Sequence, residues 1–410
     1  MLGGGAPPGR PACRFAAKDL DDREREEKRR EEKRREKKMN KSVLITGGAG
    51  FIGSHLADEL LANGYRVRIL DSLSPQVHGS DGKRPDYLSP DVELMVGDVR
   101  NPEAVKRALI GIDHVYHFAA IVGVGQSMYD IARYTEVNNL GTAVVLEALV
   151  AQPVEHLVIA SSMSLYGEGL YKRPDGQIAE ASERSIDQLR AQDWQVRDVE
   201  GNALTPVATP EWKRPTLPSI YALSKYDQER MCLMIGKAYN IPTVALRFFN
   251  AFGTRQALSN PYTGVLAIFG SRLLNDKPPL IFEDGQQLRD FVSVKDVARS
   301  CRLAIEREEA TGRAINVGSG MSYTIEETAR KVAKAMGKEH IEPEICGQYR
   351  VGDVRHCFPD ITLARELLGY EPQILLDDGL AELAEWLQEQ TAIDKVDEMR
   401  QQLASRGLTI

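Results

Sequence analysis

The stretch Val43-Leu44-Ile45-Thr46-Gly47-Gly48-Ala49-Gly50-Phe51-Ile52-Gly53 decides the fold of this chain. Its apolar start reads as a short buried strand, and a glycine turn follows at once. Ser54-His55-Leu56-Ala57-Asp58-Glu59-Leu60-Leu61 then continues with helix-forming residues. Strand, glycine turn and helix in that order make the phosphate-binding start of a βαβ unit. Gly47 lets the chain turn off the strand. Gly50 leaves room for a pyrophosphate to approach the backbone, with Phe51 and Ile52 beside it. Gly53 lets the helix pack close to the sheet. The spacing, Gly-x-x-Gly-x-x-Gly, is one residue longer than the usual dinucleotide fingerprint.

Beyond the helix, Asn63-Gly64 marks a turn and Tyr65-Arg66-Val67-Arg68-Ile69-Leu70 reads as a second strand. It stops at Asp71-Ser72, with Asp71 24 residues past Gly47. An acid at this point accepts hydrogen bonds from a ribose 2′-hydroxyl and repels a 2′-phosphate. Asp71 therefore predicts NAD rather than NADP; the bland alternative is a loop acid with no ligand. Val92–Val96 reads as a third strand ending in Asp98-Val99, and Asn101-Pro102-Glu103 opens a helix with proline at its first position. His114–Ala120 reads as a fourth strand, a helix covers Asn138 to Val150, and His156–Ala160 is a further strand. The alternation predicts an α/β fold, a Rossmann-like doubly wound parallel sheet, with its ligand beyond the strand C-terminal ends.

The strand after Glu155 runs into Ser161-Ser162, and Tyr221-Ala222-Leu223-Ser224-Lys225 lies far downstream. A tyrosine and a lysine four apart share one helix face. A phenol titrates near 10, too high for a base at neutral pH. A neighbouring ammonium and a cationic nicotinamide ring favour the phenolate, and a serine hydroxyl can hold the reacting oxygen. Taken with the nucleotide turn, Tyr221, Lys225 and Ser162 are the expected catalytic residues.

Composition sets limits. The 410 residues are 42% hydrophobic and carry a net charge of −7, so a full core is available and wholesale nucleic-acid binding is not suggested. No stretch approaches the roughly 20 apolar residues a membrane span needs. No secretory leader is evident, and the five scattered cysteines form no CxxC pair, so a cytoplasmic protein with free thiols and no metal is expected. Residues 1–40 are expected to stand outside the fold. From Asp19 to Lys38 every residue but Leu20 is charged, nine acids against ten bases. Such a segment reads as disordered or as a solvated single helix; a partner-binding arm is the alternative.

Thr46–Gly53, the Ser161-Ser162 strand end, Tyr221-x-x-x-Lys225 and Arg247-Phe248-Phe249-Asn250 resemble the extended short-chain dehydrogenase/reductase family, most closely its nucleotide-sugar epimerases and dehydratases. The likeness covers roughly residues 41 to 385. It implies NAD in a large lobe (41–250) and a nucleoside-diphosphate sugar against a smaller C-terminal α/β lobe (251–390). By that likeness Asp98 and Val99 flank the adenine, Phe118, Ala119 and Ala120 line the cofactor, and Asn138 supports the site. Asn250, Arg289 and Arg350 would meet the substrate, with Asp290 orienting Arg289; paired donors make arginine suited to a diphosphate. The dehydratases carry Asp-Glu directly after the serine position, and the decarboxylases a glutamate two residues before the Tyr-Gly. Here those positions are Met163 and Ser164, neither able to serve as the extra acid or base.

Residues 168–218 form an insertion of little periodicity, read as a long irregular loop, in which Trp194 or Trp212 covers the sugar or merely packs the loop. Residues 391–410 read as a helical, partly mobile tail. The likeness also implies a homodimer, built from the helices before Val150 and after Tyr221. The expected activity is C4 epimerisation of a UDP- or dTDP-linked hexose or deoxyhexose through a transient 4-keto sugar. The alternatives are a dehydratase or reductase of the same fold, or a silent NAD-binding protein.

Overall fold

The structure, a computed structural model, describes residues 41–410 together with Met1, Gly3 and Gly4. The charged stretch Asp19–Lys38 lies outside the described residues. Seven parallel strands form the central sheet. In chain order they are β1 (Ser42–Thr46), β2 (Arg66–Asp71), β3 (Glu93–Val96), β4 (His114–His117), β5 (His156–Ser162), β6 (Thr243–Phe248) and β7 (Ala314–Val317). Their spatial order is β3-β2-β1-β4-β5-β6-β7. The order reverses between β1 and β4, and a ligand crevice opens at such a switch point.

Both faces of the inner strands are covered, so β1 and β6 are buried along nearly their whole length, whereas the edge strand β3 is exposed at Glu93 and Val96. On one face Val43 and Ile45 of β1 pack with helix α1 (Phe51–Ala62) through Leu56 and Leu60. On the other, Leu44 packs with Val105 of α2 (Pro102–Leu109), Leu149 of α3 (Gly141–Ala151) and Cys232 of α4 (Ile220–Tyr239). Asn101 caps α2, its side chain accepting from the amides of Glu103 and Ala104, with Pro102 at the first position as expected.

The smaller lobe packs α5 (Val265–Leu274), α7 (Ile325–Ala335) and α9 (Leu376–Gln388) around Phe252, Phe269, Phe291 and Leu383. The expected division at residue 250 needs correction. The seventh strand is Ala314–Val317, and Val297, Cys301 and Ile305 of α6 (Val294–Glu306) share a core with Val43 and Leu56. Leu368 of α8 (Thr362–Leu368) and Tyr370 join that core as well. The large layer thus draws on chain from both sides of Asn250.

The insertion also differs from expectation. It folds as a three-stranded antiparallel sheet of Leu170–Lys172, Ile178–Ala179 and Thr205–Val207 around its own core of Tyr171, Ala179, Val196 and Leu204. Buried polar contacts tie it down. Glu168 accepts from the amides of Arg355 and His356, Lys213 Nζ donates to the Tyr166 carbonyl at 2.6 Å, and Arg184 pairs with Glu283 at 2.9 Å. Neither Trp194 nor Trp212 lines the cavity described below, and Trp212 is 67% exposed. The tail contains α10 (Val396–Ser405), docked by buried Val396, Met399 and Leu403.

Candidate active site

One cavity of about 820 Å³ runs along the C-terminal ends of β1, β2, β4, β5 and β6 and on into the smaller lobe. Its floor is the glycine turn. Gly47 has φ +70°, and a Cβ there would lie 2.8 Å from the backbone of Ala119. At Gly53 an added Cβ would come 2.5 Å from Gly48 Cα, so helix and turn can meet only without a side chain. Gly50 differs. An added Cβ there would meet only the Gly47 carbonyl, at 3.4 Å, so its free side opens on the cavity. Gly50 also starts α1 with no side-chain cap and no acid in the first turn, with Phe51 and Ile52 on the cavity wall. An uncapped helix start of this kind suits an anion.

Asp71 and Ser72 line the next part of the wall. The Asp71 carboxylate accepts from the amides of Ala49 (3.0 Å) and Leu73 (2.9 Å), which fixes it beside the turn. His78 Nε2 stands 3.7 Å away, and burial pushes that imidazole below its usual range. Asp98 and Val99 follow, and the Arg100 guanidinium, 2.7 Å from Asp98, holds that carboxyl below the usual carboxylate range. Phe118, Ala119 and Ala120 line the floor beyond β4. Asn138 is a correction. It is fully buried, off the cavity, in a π-helical turn (Thr135–Leu140). Its side chain clasps the backbone of Ile121 (2.8 and 3.1 Å) and donates to Ser224 Oγ at 2.9 Å. It acts on the site through the residue next to Lys225.

Ser162 ends β5, Tyr221 and Lys225 lie on α4, and all three line the cavity. Ser219 caps α4, its hydroxyl accepting from the Ala222 amide at 3.1 Å, which sets where the helix begins and where Tyr221 points. Ser162 Oγ accepts from the amide and hydroxyl of Ser164, at 3.1 and 2.9 Å. The strand end is locked from behind. Ser161 donates to Glu229 at 2.6 Å, Glu229 pairs with Arg247 at 2.7 Å, and Arg247 donates to Tyr166 Oη at 2.7 Å. Arg247 of the Arg-Phe-Phe-Asn run is therefore a strut.

Burial pushes the Tyr221 phenol above its usual value, opposed by a hydrogen bond with Ser162. In the structure it is Ser162 rather than Lys225 that opposes the rise at Tyr221. The ammonium is itself pulled down to about 8 by burial, and it donates to Gln228 Oε1 at 2.7 Å.

The smaller lobe supplies the far wall. Asn250 Oδ1, Arg255 Nη1, Gln256 Oε1 and Gln287 Oε1 are buried without a hydrogen-bond partner, and all four residues line the cavity. An unmet buried polar group costs about 1–3 kcal/mol, so four on one wall mark positions where a polar ligand would supply the partners. Arg255, Gln256 and Gln287 escaped the sequence reading; no local pattern singles them out. Arg289 lines the cavity, but its terminal nitrogens donate to the carbonyls of Leu288 (2.9 Å), Val354 and Arg355 (3.0 Å). It holds the chain there rather than presenting its full fork. Asp290 does not orient it. That carboxylate is wholly buried on Ser319 and Met321, and burial pushes it up to about 6. Arg350 lies on the wall, paired with Asp353 at 2.7 Å and stacked over Phe282.

Among the described residues no three His, Cys, Asp or Glu side chains cluster as metal ligands, and no helix is long and apolar enough to cross a membrane.

A doubly wound sheet with a glycine turn, a strand-end acid and a Ser–Tyr–Lys set around one cavity defines a dinucleotide-dependent enzyme fold. The chain belongs to the NAD dependent epimerase/dehydratase family, whose profile matches residues 43–187 and 207–318. The unmatched residues 188–206 fall inside the insertion. NAD is the cofactor of this family, and the open side of Gly50, the uncapped start of α1 and the fixed Asp71 fit it. The chain is 36% identical over 353 residues to the dTDP-L-rhamnose 4-epimerase of Burkholderia thailandensis, covering 85% of this chain and 95% of that one. It is 30% identical over 347 residues to a putative UDP-glucose 4-epimerase of Methanocaldococcus jannaschii, covering 84% and 98%. Among solved structures it is similar to the UDP-glucuronic acid 4-epimerase of Bacillus cereus in complex with UDP-glucuronic acid and NAD. That match has a TM-score of 0.70 and 28% identity over 85% of this chain and 99% of that one.

Proposed function

We propose that this protein interconverts the C4 configuration of a nucleoside-diphosphate sugar, a UDP- or dTDP-linked hexose or deoxyhexose. The observation that carries the reading is that Ser162, Tyr221, Lys225 and the glycine turn line one cavity. NAD, when bound, supplies reversible hydride acceptance at C4, and with it the oxidation level of a transient 4-keto sugar. Tyr221 takes the proton of the C4 hydroxyl and returns it. Ser162, steadied by Ser164, holds the C4 oxygen through both directions. Lys225 spends one donor on Gln228 and keeps the others for the ribose side and for stabilising the phenolate. Asn250, Gln256 and Gln287 offer polar partners to the sugar nucleotide, and Arg350 a cation for its diphosphate.

Met163 and Ser164 stand where a dehydratase needs an acid and a base, which favours epimerisation over loss of water. Incubating the purified protein with a panel of UDP- and dTDP-sugars and following C4 by proton NMR tests the reading. Both C4 epimers at equilibrium, without net NADH, support it; a stable keto or dehydrated product refutes it.

The protein is also proposed to be a homodimer. Leu223 and Met234, 41% and 55% exposed, lie three turns apart on one face of α4, and exposed Leu140 lies beside that helix. Light scattering that gives a monomer mass refutes this.

A further inference from the structure

The loop Tyr349–Asp353 carries Arg350 to the cavity, yet it belongs to no sheet of the smaller lobe. Its flanking residues are instead paired with residues 408–410. Tyr349 and Ile410 exchange two backbone hydrogen bonds, at 2.9 and 2.8 Å, and the Val351 amide donates to the Leu408 carbonyl at 3.0 Å. Arg350 and Thr409 are thereby antiparallel partners. The side chain of Arg350 is then aimed by Asp353 and Phe282.

The helix preceding this pairing is docked on the same end of the cavity. Val396 and Met399 of α10 are cavity-lining side chains, each 3% exposed. Leu403, wholly buried, packs in the same cluster as Leu280, with Tyr262 and Phe282 against it. Charged side chains also fasten the segment. Asp394 and Asp397 meet both Arg272 and Lys277, with closest approaches of 2.8 to 3.4 Å, and Arg400 donates to Gln348 at 2.9 Å.

We infer that the segment Asp394–Ile410 is a working part of the substrate site. It holds Arg350 in place for the ligand's diphosphate and closes that end of the cavity with Val396 and Met399. The inference rests on the nucleotide-sugar reading above and adds residues that the sequence treats as a trailing helix. Pre-ordering the Arg350 loop spares the ligand that ordering cost on binding. The effect therefore falls on affinity for the nucleoside diphosphate, and the chemistry at Tyr221 is left alone.

Three variants test it: deletion of residues 408–410, Met399→Ala and Met399→Leu. Calorimetry with UDP and with dTDP is read beside KM, kcat, NAD content and melting temperature. The deletion is expected to weaken nucleoside-diphosphate binding and raise KM by about tenfold or more, while kcat at saturation stays within about threefold and NAD content is unchanged. Met399→Ala is expected to weaken binding about three- to tenfold, with Met399→Leu restoring it. Unchanged affinity in the deletion and in Met399→Ala overturns the inference, whatever happens to the melting temperature. A fall in kcat alone overturns it too. If the deletion does not fold, the Met399 pair decides. A full-length protein that holds NAD yet binds neither UDP nor dTDP refutes the nucleotide-sugar reading itself, a result distinct from variants that bind as the full-length protein does.

Discussion

The ammonium of Lys225 donates a 2.7 Å hydrogen bond to the amide oxygen of Gln228, one turn further along the same helix. Gln228 in turn donates to Thr142 Oγ1 at 2.8 Å. Because Thr142 gives its own proton to the Asn138 carbonyl, it accepts from His117 Nε2 at 2.9 Å. His117 Nδ1 then accepts from Thr46 Oγ1 at 2.8 Å, at the mouth of the glycine turn. Burial pulls His117 down to about 3, in keeping with a neutral ring in this tautomer. A wholly buried chain of five side chains therefore links the lysine to the nucleotide turn.

Gln228→Leu removes the acceptor and leaves Lys225 less well held. A hydrogen bond to a charged group is worth about 1.5–3 kcal/mol, so kcat is expected to fall about ten- to hundredfold. The lysine loses a group that favours its charged form, so the alkaline limb of the pH–rate profile moves to lower pH. A merely structural role would lower stability and leave that limb where it is.

Lys225 also makes stability depend on pH. Its value falls from 10.5 in the unfolded chain to about 8 in the fold. Between those values the unfolded chain binds more protons, so this group makes stability rise with pH across that window. Below pH 8 the cost of burying the charge is felt in full, on the order of 3 kcal/mol. Lys225→Met is expected to unfold at higher urea than the wild type at pH 7 and at the same urea near pH 10.5, while losing activity. A less stable variant at pH 7 contradicts this.

Glu283 is 2% exposed and pairs with Arg184 of the insertion and Arg355 of the smaller lobe, at 2.9 and 2.7 Å. Glu283→Gln takes a charged partner from both, leaving Arg184 with Glu168 at 3.7 Å and Arg355 with Asp284 at 2.8 Å, and a loss of about 2 kcal/mol is expected. Urea unfolding followed at tryptophan measures it, Trp194 and Trp212 both lying in the insertion. A change under about 1 kcal/mol contradicts the claim that this pair fastens the insertion.

Tyr221→Phe removes the phenol oxygen and keeps the ring against Tyr134, at 6.5 Å between centroids. The rate is expected to fall two to four decades, the usual share of a general base, with NAD content unchanged. Turnover within tenfold of wild type removes Tyr221 from the chemistry.

The parts legible in the sequence are those in which chemistry fixes local spacing. Gly47, Gly50 and Gly53, Asp71, and Tyr221 with Lys225 belong to single elements, and each lines the predicted cavity. What escaped depends on contacts between distant segments. The family likeness implied that Asp290 orients Arg289, but Ser319 and Met321 claim its carboxylate. The insertion hides its core because Tyr171, Ala179, Val196 and Leu204 are spread over strands of two and three residues and irregular turns, too short for a period of two to register. Gln228 stands three residues after Lys225, in plain view, but nothing in its type marks it as a partner.

The placement of β7 has a consequence for how the protein comes into being. A nascent chain that has emerged only to Asn250 carries β6 with one side unpaired, since Ala314–Val317 is still to be made. Helix α6, made just before β7, and Tyr370, made after it, cover the face shared by Val43 and Leu56. The sheet that cradles the dinucleotide is thus finished only after part of the smaller lobe has been made. Excision at that boundary would leave an adhesive strand edge in place of a portable cofactor module.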